Sequence, residues 1–170
     1  MTGTWDRRLL LLRHAKAVAA QAGMSEAVDH SRPLSERGRA DATALGARLR
    51  ANAHPDLVPN LVLVSTSLRT RETFERLELG NTPRCLALDA LYLASWTSLL
   101  ESLRECDGSD RRIMLIGHNP GLHDLALALA GRNPVLTQGF ATCALAVFDV
   151  AGDWSDLGPA RARLSEVLHP

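Results

Sequence analysis

The chain has 170 residues, with 19 Lys plus Arg set against 19 Asp plus Glu, so its formal net charge is zero. That length suits one compact domain spanning residues 1–170 with a sizeable core, and the balanced charge offers no broad footprint for nucleic acid or a membrane surface. The three cysteines, Cys85, Cys106 and Cys143, form no CxxC pair, which argues against a disulfide framework or a zinc ribbon and fits a reducing compartment.

Leu9 to Leu12 is a continuous apolar run of the kind buried on both faces of a sheet. Arg13 and His14 interrupt it far short of the ~7–15 apolar residues of a secretory signal, and no other stretch approaches the ~20 of a membrane span. A soluble, cytoplasmic protein is expected. Residues 18–34 have no clear period and read as a loop ending at Pro33. From about Ser35 to Ala51, Ala42, Leu45 and Leu49 recur at helical spacing. Leu61 to Val64 is a second buried strand opening into Ser65-Thr66-Ser67, followed by a helix with Arg69, Thr73 and Leu77 on one side. Leu86 to Leu88 suits a short third strand, and a helix follows around Trp96, Leu99, Leu100 and Leu103. Ile113 to Ile116 is another buried strand, stopped by Gly117. The next helix carries Leu122, Leu125, Ala126 and Leu129, with Gly131 as its C-terminal cap. Ala144 to Val150 and Arg161 to Leu168 read as further strands, the last at an edge.

Strands alternating with helices predict an α/β three-layer sandwich with a mostly parallel central sheet, and such sheets bind ligands at the carboxyl ends of their strands. Three strand ends here run into polar residues: Arg13-His14, Ser65 to Arg69, and Gly117-His118-Asn119-Pro120. If these ends converge, two arginine forks meet two imidazoles. Arg13 and Arg69 then suit the non-bridging oxygens of a phosphoryl group. His14, near neutral at physiological pH, suits nucleophilic attack on phosphorus, and His118 suits stabilisation of the charge that builds up. Ser65, Thr66 and Asn119 are candidate further phosphate contacts. His123 and Asp124 follow His118, but the Pro120-Gly121 turn spoils the i, i+4 spacing of a helical metal pair, so no metal or cofactor is expected. His30, His54 and His169 read as ordinary surface residues, with His30 and Arg32 on a loop able to border the pocket. Lys16 flanks it, and Tyr92, Trp96 and Trp154 read as core.

Leu11-Leu12-Arg13-His14-Ala15 resembles the signature turn of the histidine phosphatase (phosphoglycerate mutase-like) superfamily. Arg32 to Gly38 resembles the segment that opens that family's first long helix. Ser65, Arg69 and Thr73 match its second arginine motif, and Gly117 to Pro120 its second histidine motif. Asp89-Ala90-Leu91-Tyr92 and Phe140-Ala141-Thr142 look most like the short phosphohistidine phosphatase branch. The resemblance implies a metal-independent phosphatase in which Arg13, His14, Arg69 and His118 form the catalytic core. It also implies a phosphohistidine-bearing protein as substrate, with a small phosphorylated metabolite as the alternative and a silent phosphoprotein-binding module as a remote one. Two departures stand out. Ala15 replaces the usual glycine, and the region where larger relatives carry a carboxylate general acid reads Leu91-Tyr92-Leu93-Ala94. An alcohol leaving group needs such an acid, whereas imidazole can leave neutral, so an activated phosphoryl substrate is expected.

Overall fold

The structure is a computed structural model and describes residues 5–51, 57–80, 83–131 and 133–170. Its elements in chain order are β1 (Trp5–Arg13), α1 (Glu26–His30), α2 (Glu36–Arg50), β2 (Leu61–Ser65), α3 (Leu68–Leu77) and β3 (Arg84–Leu88). Then come α4 (Trp96–Arg104), β4 (Arg112–Gly117), α5 (Gly121–Ala130), α6 (Pro134–Thr137), β5 (Leu145–Ala151) and β6 (Ala162–Leu168). The strands form one sheet in the order β3-β2-β4-β1-β5-β6. The first four in that order pair in parallel, and β5 and β6 join antiparallel.

Side chains alternate across a strand, so the apolar run of β1 serves two cores at once. Leu9 and Leu11 pack with Leu99, Leu103, Leu122 and Leu125 from α4 and α5. Leu10 and Leu12 pack with Ala42, Leu45 and Leu49 of α2 and Leu77 of α3 on the opposite face. All four leucines are fully buried. These two apolar layers, one on each face, make the expected three-layer α/β sandwich. By contrast β3 lies at an edge and is largely exposed.

Three differences from the sequence expectations have local causes. Residues 18–34 are not wholly a loop: Ser25 caps the five-residue α1 by accepting from the Val28 amide. That helix buries no residue, so it leaves no apolar period to read. β1 starts at Trp5, four residues earlier than the apolar run, because Arg7 and Arg8 are paired with Asp153 and Asp149. Tyr92 is not a core residue but stands at the pocket described below. Trp154 is buried in the core, with its indole N–H donating to the Asp110 carbonyl at 2.6 Å, and half-buried Trp96 packs against the same cluster. His54 lies outside the described residues.

Candidate active site

β2, β4 and β1 are neighbours in the sheet, so their carboxyl ends bring the three polar turns side by side. A cavity of about 420 Å³ opens there, lined by Arg13, His14, Lys16, Asp29, Arg32, Arg69, His118 and Asn119 among others. Two glycines allow the close packing that shapes it. A Cβ on Gly38 would sit 2.0 Å from the Lys16 carbonyl oxygen, and one on Gly121 would sit 1.9 Å from that of Ala94. Without a side chain at Gly38, the start of α2 can press against the turn after His14. There Ser35 donates from its backbone N–H and its hydroxyl to the Lys16 carbonyl, while its Oγ accepts from the Gly38 amide.

His14 sits at the end of β1 with its Nδ1 2.8 Å from the Ala15 carbonyl. An accepting carbonyl requires the proton on Nδ1, which leaves the Nε2 lone pair free. Ala15 follows with a negative φ and is fully buried, and its amide donates to Thr73 Oγ1 at 3.0 Å. The position therefore imposes no need for glycine. Burial foremost, with the charges of Arg69, Arg13 and Arg32 adding to it, pushes the His14 imidazole down to about 4. The His118 ring lies 5.1 Å from that of His14 and is pushed down to about 2, again by burial first and then by the neighbouring His14 and Arg69. Both imidazoles are thus uncharged at neutral pH.

Ser65 is fully buried, and its hydroxyl is 2.9 Å from His118 Nε2, behind the ring rather than on the cavity wall. Ser67 Oγ is 3.5 Å from the same nitrogen. Thr66 turns away, donating to Asp89 Oδ1 and contacting His30 Nε2. Asn119 lines the cavity with its Nδ2 donating to the Phe140 carbonyl at 2.9 Å, and Arg13 Nη1 donates to that same carbonyl at 2.8 Å. Burial lowers the pKa of Arg13.

Among the described residues, five buried side-chain nitrogen or oxygen atoms have no hydrogen-bond partner: Arg7 Nε, Arg13 Nε, Arg69 Nε, His118 Nδ1 and Asn119 Oδ1. Four of the five belong to residues of this cavity. Buried polar groups are nearly always satisfied, and the three unpaired donor-capable nitrogens gathered here suit the oxygens of an anion.

Sequence reasoning missed Asp29. Its carboxylate accepts from Arg32 Nε (2.9 Å), Arg69 Nη2 (3.0 Å) and the Tyr92 hydroxyl (2.6 Å). Against the upward pull of burial, hydrogen bonds from Tyr92 and Arg32 and the charges of Arg69 and Arg32 hold this carboxyl down at about 2. It cannot deliver a proton at neutral pH. Asp89 and Asp124 are exposed and do not line the cavity. His123 stands apart from His118, with its Nε2 2.7 Å from the Leu136 carbonyl and its ring stacked on Phe140. Among the described residues no group of three His, Cys, Asp or Glu side chains is placed to hold a metal ion.

Two neutral imidazoles flanked by guanidinium groups at the strand ends of a phosphoglycerate mutase-like sandwich define a class, an enzyme site for phosphoryl oxyanions. The comparisons with known proteins agree. The sequence model of the histidine phosphatase superfamily (branch 1) matches residues 9–92. An uncharacterized protein of Mycobacterium tuberculosis is 31% identical over 160 residues, covering 90% of this chain and 96% of that protein. A candidate phosphohistidine phosphatase SixA from Agrobacterium tumefaciens superposes with a TM-score of 0.80 at 31% identity, over 96% of this chain and 98% of that one. Its counterpart from Nakamurella multipartitia gives 0.82 at 29% identity, over 96% of both chains. The chain belongs to the histidine phosphatase superfamily, in the short branch of the SixA-like proteins, and is by family a phosphatase.

Proposed function

We propose that this protein is a metal-independent phosphohistidine phosphatase, acting on phosphorylated proteins through a phosphoryl intermediate on His14. The observation that carries this is the His14 ring itself: neutral, with Nδ1–H held on the Ala15 carbonyl and Nε2 free beside His118. Nε2 attacks phosphorus as the bond from phosphorus to the substrate's ring nitrogen breaks. That ring keeps the proton on its other nitrogen and departs as neutral imidazole. The new phospho-His14 still carries its Nδ1 proton, so it is an activated phosphoimidazolium in turn. Water adds to phosphorus, the P–Nε2 bond breaks, both protons of the water leave with dihydrogen phosphate, and neutral His14 is restored. Neither half requires a carboxylic acid, which fits a cavity whose carboxylate, Asp29, is held ionised.

Arg13 and Arg69 clamp the non-bridging oxygens, their unpaired Nε groups supplying forked donors. His118 donates from Nδ1 as charge grows on the oxygens. Ser65, by donating to His118 Nε2, keeps the second proton on Nδ1, and Asn119 contributes from the rim. No helix among the described residues is long and apolar enough to cross a membrane, and we place the enzyme in the cytoplasm, where phosphorelay proteins would be its partners.

The test is phosphate release from a phosphohistidine-bearing phosphotransfer protein in the presence of EDTA. Fast release by the wild type and none by His14→Ala is expected. Release abolished by EDTA would overturn metal independence. Failure on the phosphoprotein with p-nitrophenyl phosphate still hydrolysed would move the substrate to small esters.

A further inference from the structure

Asp29 is the one carboxylate on the cavity wall among the described residues, in a pocket whose purpose is to attract anions. A negative charge there weakens phosphate binding unless it does something else. Its contacts show what that is. Arg69 Nη1 donates to the Asp29 backbone carbonyl at 2.7 Å, and Arg69 Nη2 donates to Asp29 Oδ2 at 3.0 Å. Together these occupy the end of the guanidinium, where Nη1 and Nη2 form one fork. On the side edge of the guanidinium Nε is left open, buried with no partner. Arg32 is used differently: Nε and Nη2 both go to Asp29 Oδ1 and Nη1 goes to the Val18 carbonyl. Arg32 therefore holds Asp29 while Asp29 holds Arg69.

Tyr92 completes the arrangement. Its hydroxyl donates to the same Oδ2 at 2.6 Å, its ring stands edge-on to His118 at 5.5 Å, and the Arg69 guanidinium lies 5.8 Å from its centre. Three separate stretches, the end of α1, the helix α3 and the turn after β3, are thus tied through a single carboxylate. A guanidinium on a long side chain has many rotamers, and fixing its plane in advance removes that cost from the transition state.

We infer that Asp29, locked by Tyr92 and Arg32, is a positioning residue that aims the open Nε edge of Arg69 at the transferring phosphoryl group. This rests on the phosphoryl transfer proposed above. Its energetic signature is distinctive, because losing the carboxylate removes negative charge from a cationic pocket while freeing Arg69 to misalign. Ground-state anion binding holds or tightens, and the transition state loses its oriented donor edge.

The experiment compares wild type, Asp29→Asn and Tyr92→Phe for kcat, KM and competitive inhibition by inorganic phosphate, with melting curves alongside. For Asp29→Asn, kcat falls by about tenfold or more while KM and the phosphate inhibition constant stay level or drop. Tyr92→Phe moves the same way by a smaller factor, and it decides the matter alone if Asp29→Asn does not fold. A rise in KM and inhibition constant with kcat unchanged would reduce Asp29 to a structural strut. Unchanged kcat with tighter phosphate would make it only a competitor for Arg69. Either result overturns the inference. A wild type that releases no phosphate, or a fully active His14→Ala, would instead sink the phosphoryl-transfer proposal and this inference with it.

Discussion

Acid should destabilise this protein through the two buried imidazoles of the candidate site before Asp29 contributes. His14 and His118 are 9% and 3% exposed and sit at about 4 and about 2, below the ordinary value of 6.5. The unfolded chain binds these protons first, so stability is fully present above about pH 6.5 and falls as acid is added. Going from about pH 7.5 to about pH 5.0 traverses about 1.5 units below the unfolded value, at ~1.36 kcal/mol per unit, or about 2 kcal/mol for His14. His118 adds a similar amount. Asp29 acts in the same direction but in a lower window: its contribution is present above 3.8 and is lost only as pH falls toward about 2, below the range compared. The assay is urea unfolding at the two pH values for the wild type and the His14→Ala/His118→Ala double variant. The double variant should show a loss on acidification smaller by about 2–4 kcal/mol. Equal losses in the two proteins would refute the claim that both rings are held neutral in the fold.

The same shifts predict that kcat/KM, followed with phosphoramidate and corrected for the substrate's own titration, keeps its free-enzyme acid limb near 4; a limb near the ordinary 6.5 would contradict this. Arg69→Lys loses the forked geometry, so kcat/KM should fall by about 10²–10³ with the melting temperature little changed. Ser65→Ala removes the hydroxyl at His118 Nε2 and should cost about 1 kcal/mol of transition-state stabilisation, roughly fivefold in kcat/KM. Gly121→Ala places a methyl 1.9 Å from the Ala94 carbonyl oxygen, so thermal unfolding should reveal a loss of about 1–3 kcal/mol.

The sheet was legible because β1, β2 and β4 are buried on both faces and their apolar runs break abruptly into charge. Arg13, His14, Arg69 and His118 stand at or just beyond those breaks, which is why their convergence could be anticipated. Asp29 and Tyr92 carry no such mark. Asp29 lies on a helix with no buried residue, and its partners Arg69 and Tyr92 are 40 and 63 residues away along the chain. Its spacing of three from Arg32, an ion pair on one turn, was the only local signal. Tyr92 resembles a core aromatic in composition, and only its hydroxyl's partner distinguishes it. Ser65 ends β2 and by that position suits a phosphate contact, yet full burial turns its hydroxyl toward His118 instead. Strand ends specify which residues meet, whereas the direction of each side chain depends on long-range packing.

The central claim is that the phosphoryl group passes through His14. Mixing the enzyme with a phosphohistidine-bearing protein, quenching into alkali within one turnover and mapping the modified peptide by mass spectrometry tests it directly. An acid-labile, alkali-stable phosphoryl group on His14, formed before free phosphate appears and absent from His14→Ala, is the predicted result. Turnover with label on another residue, or with none on the enzyme at any time, would contradict it.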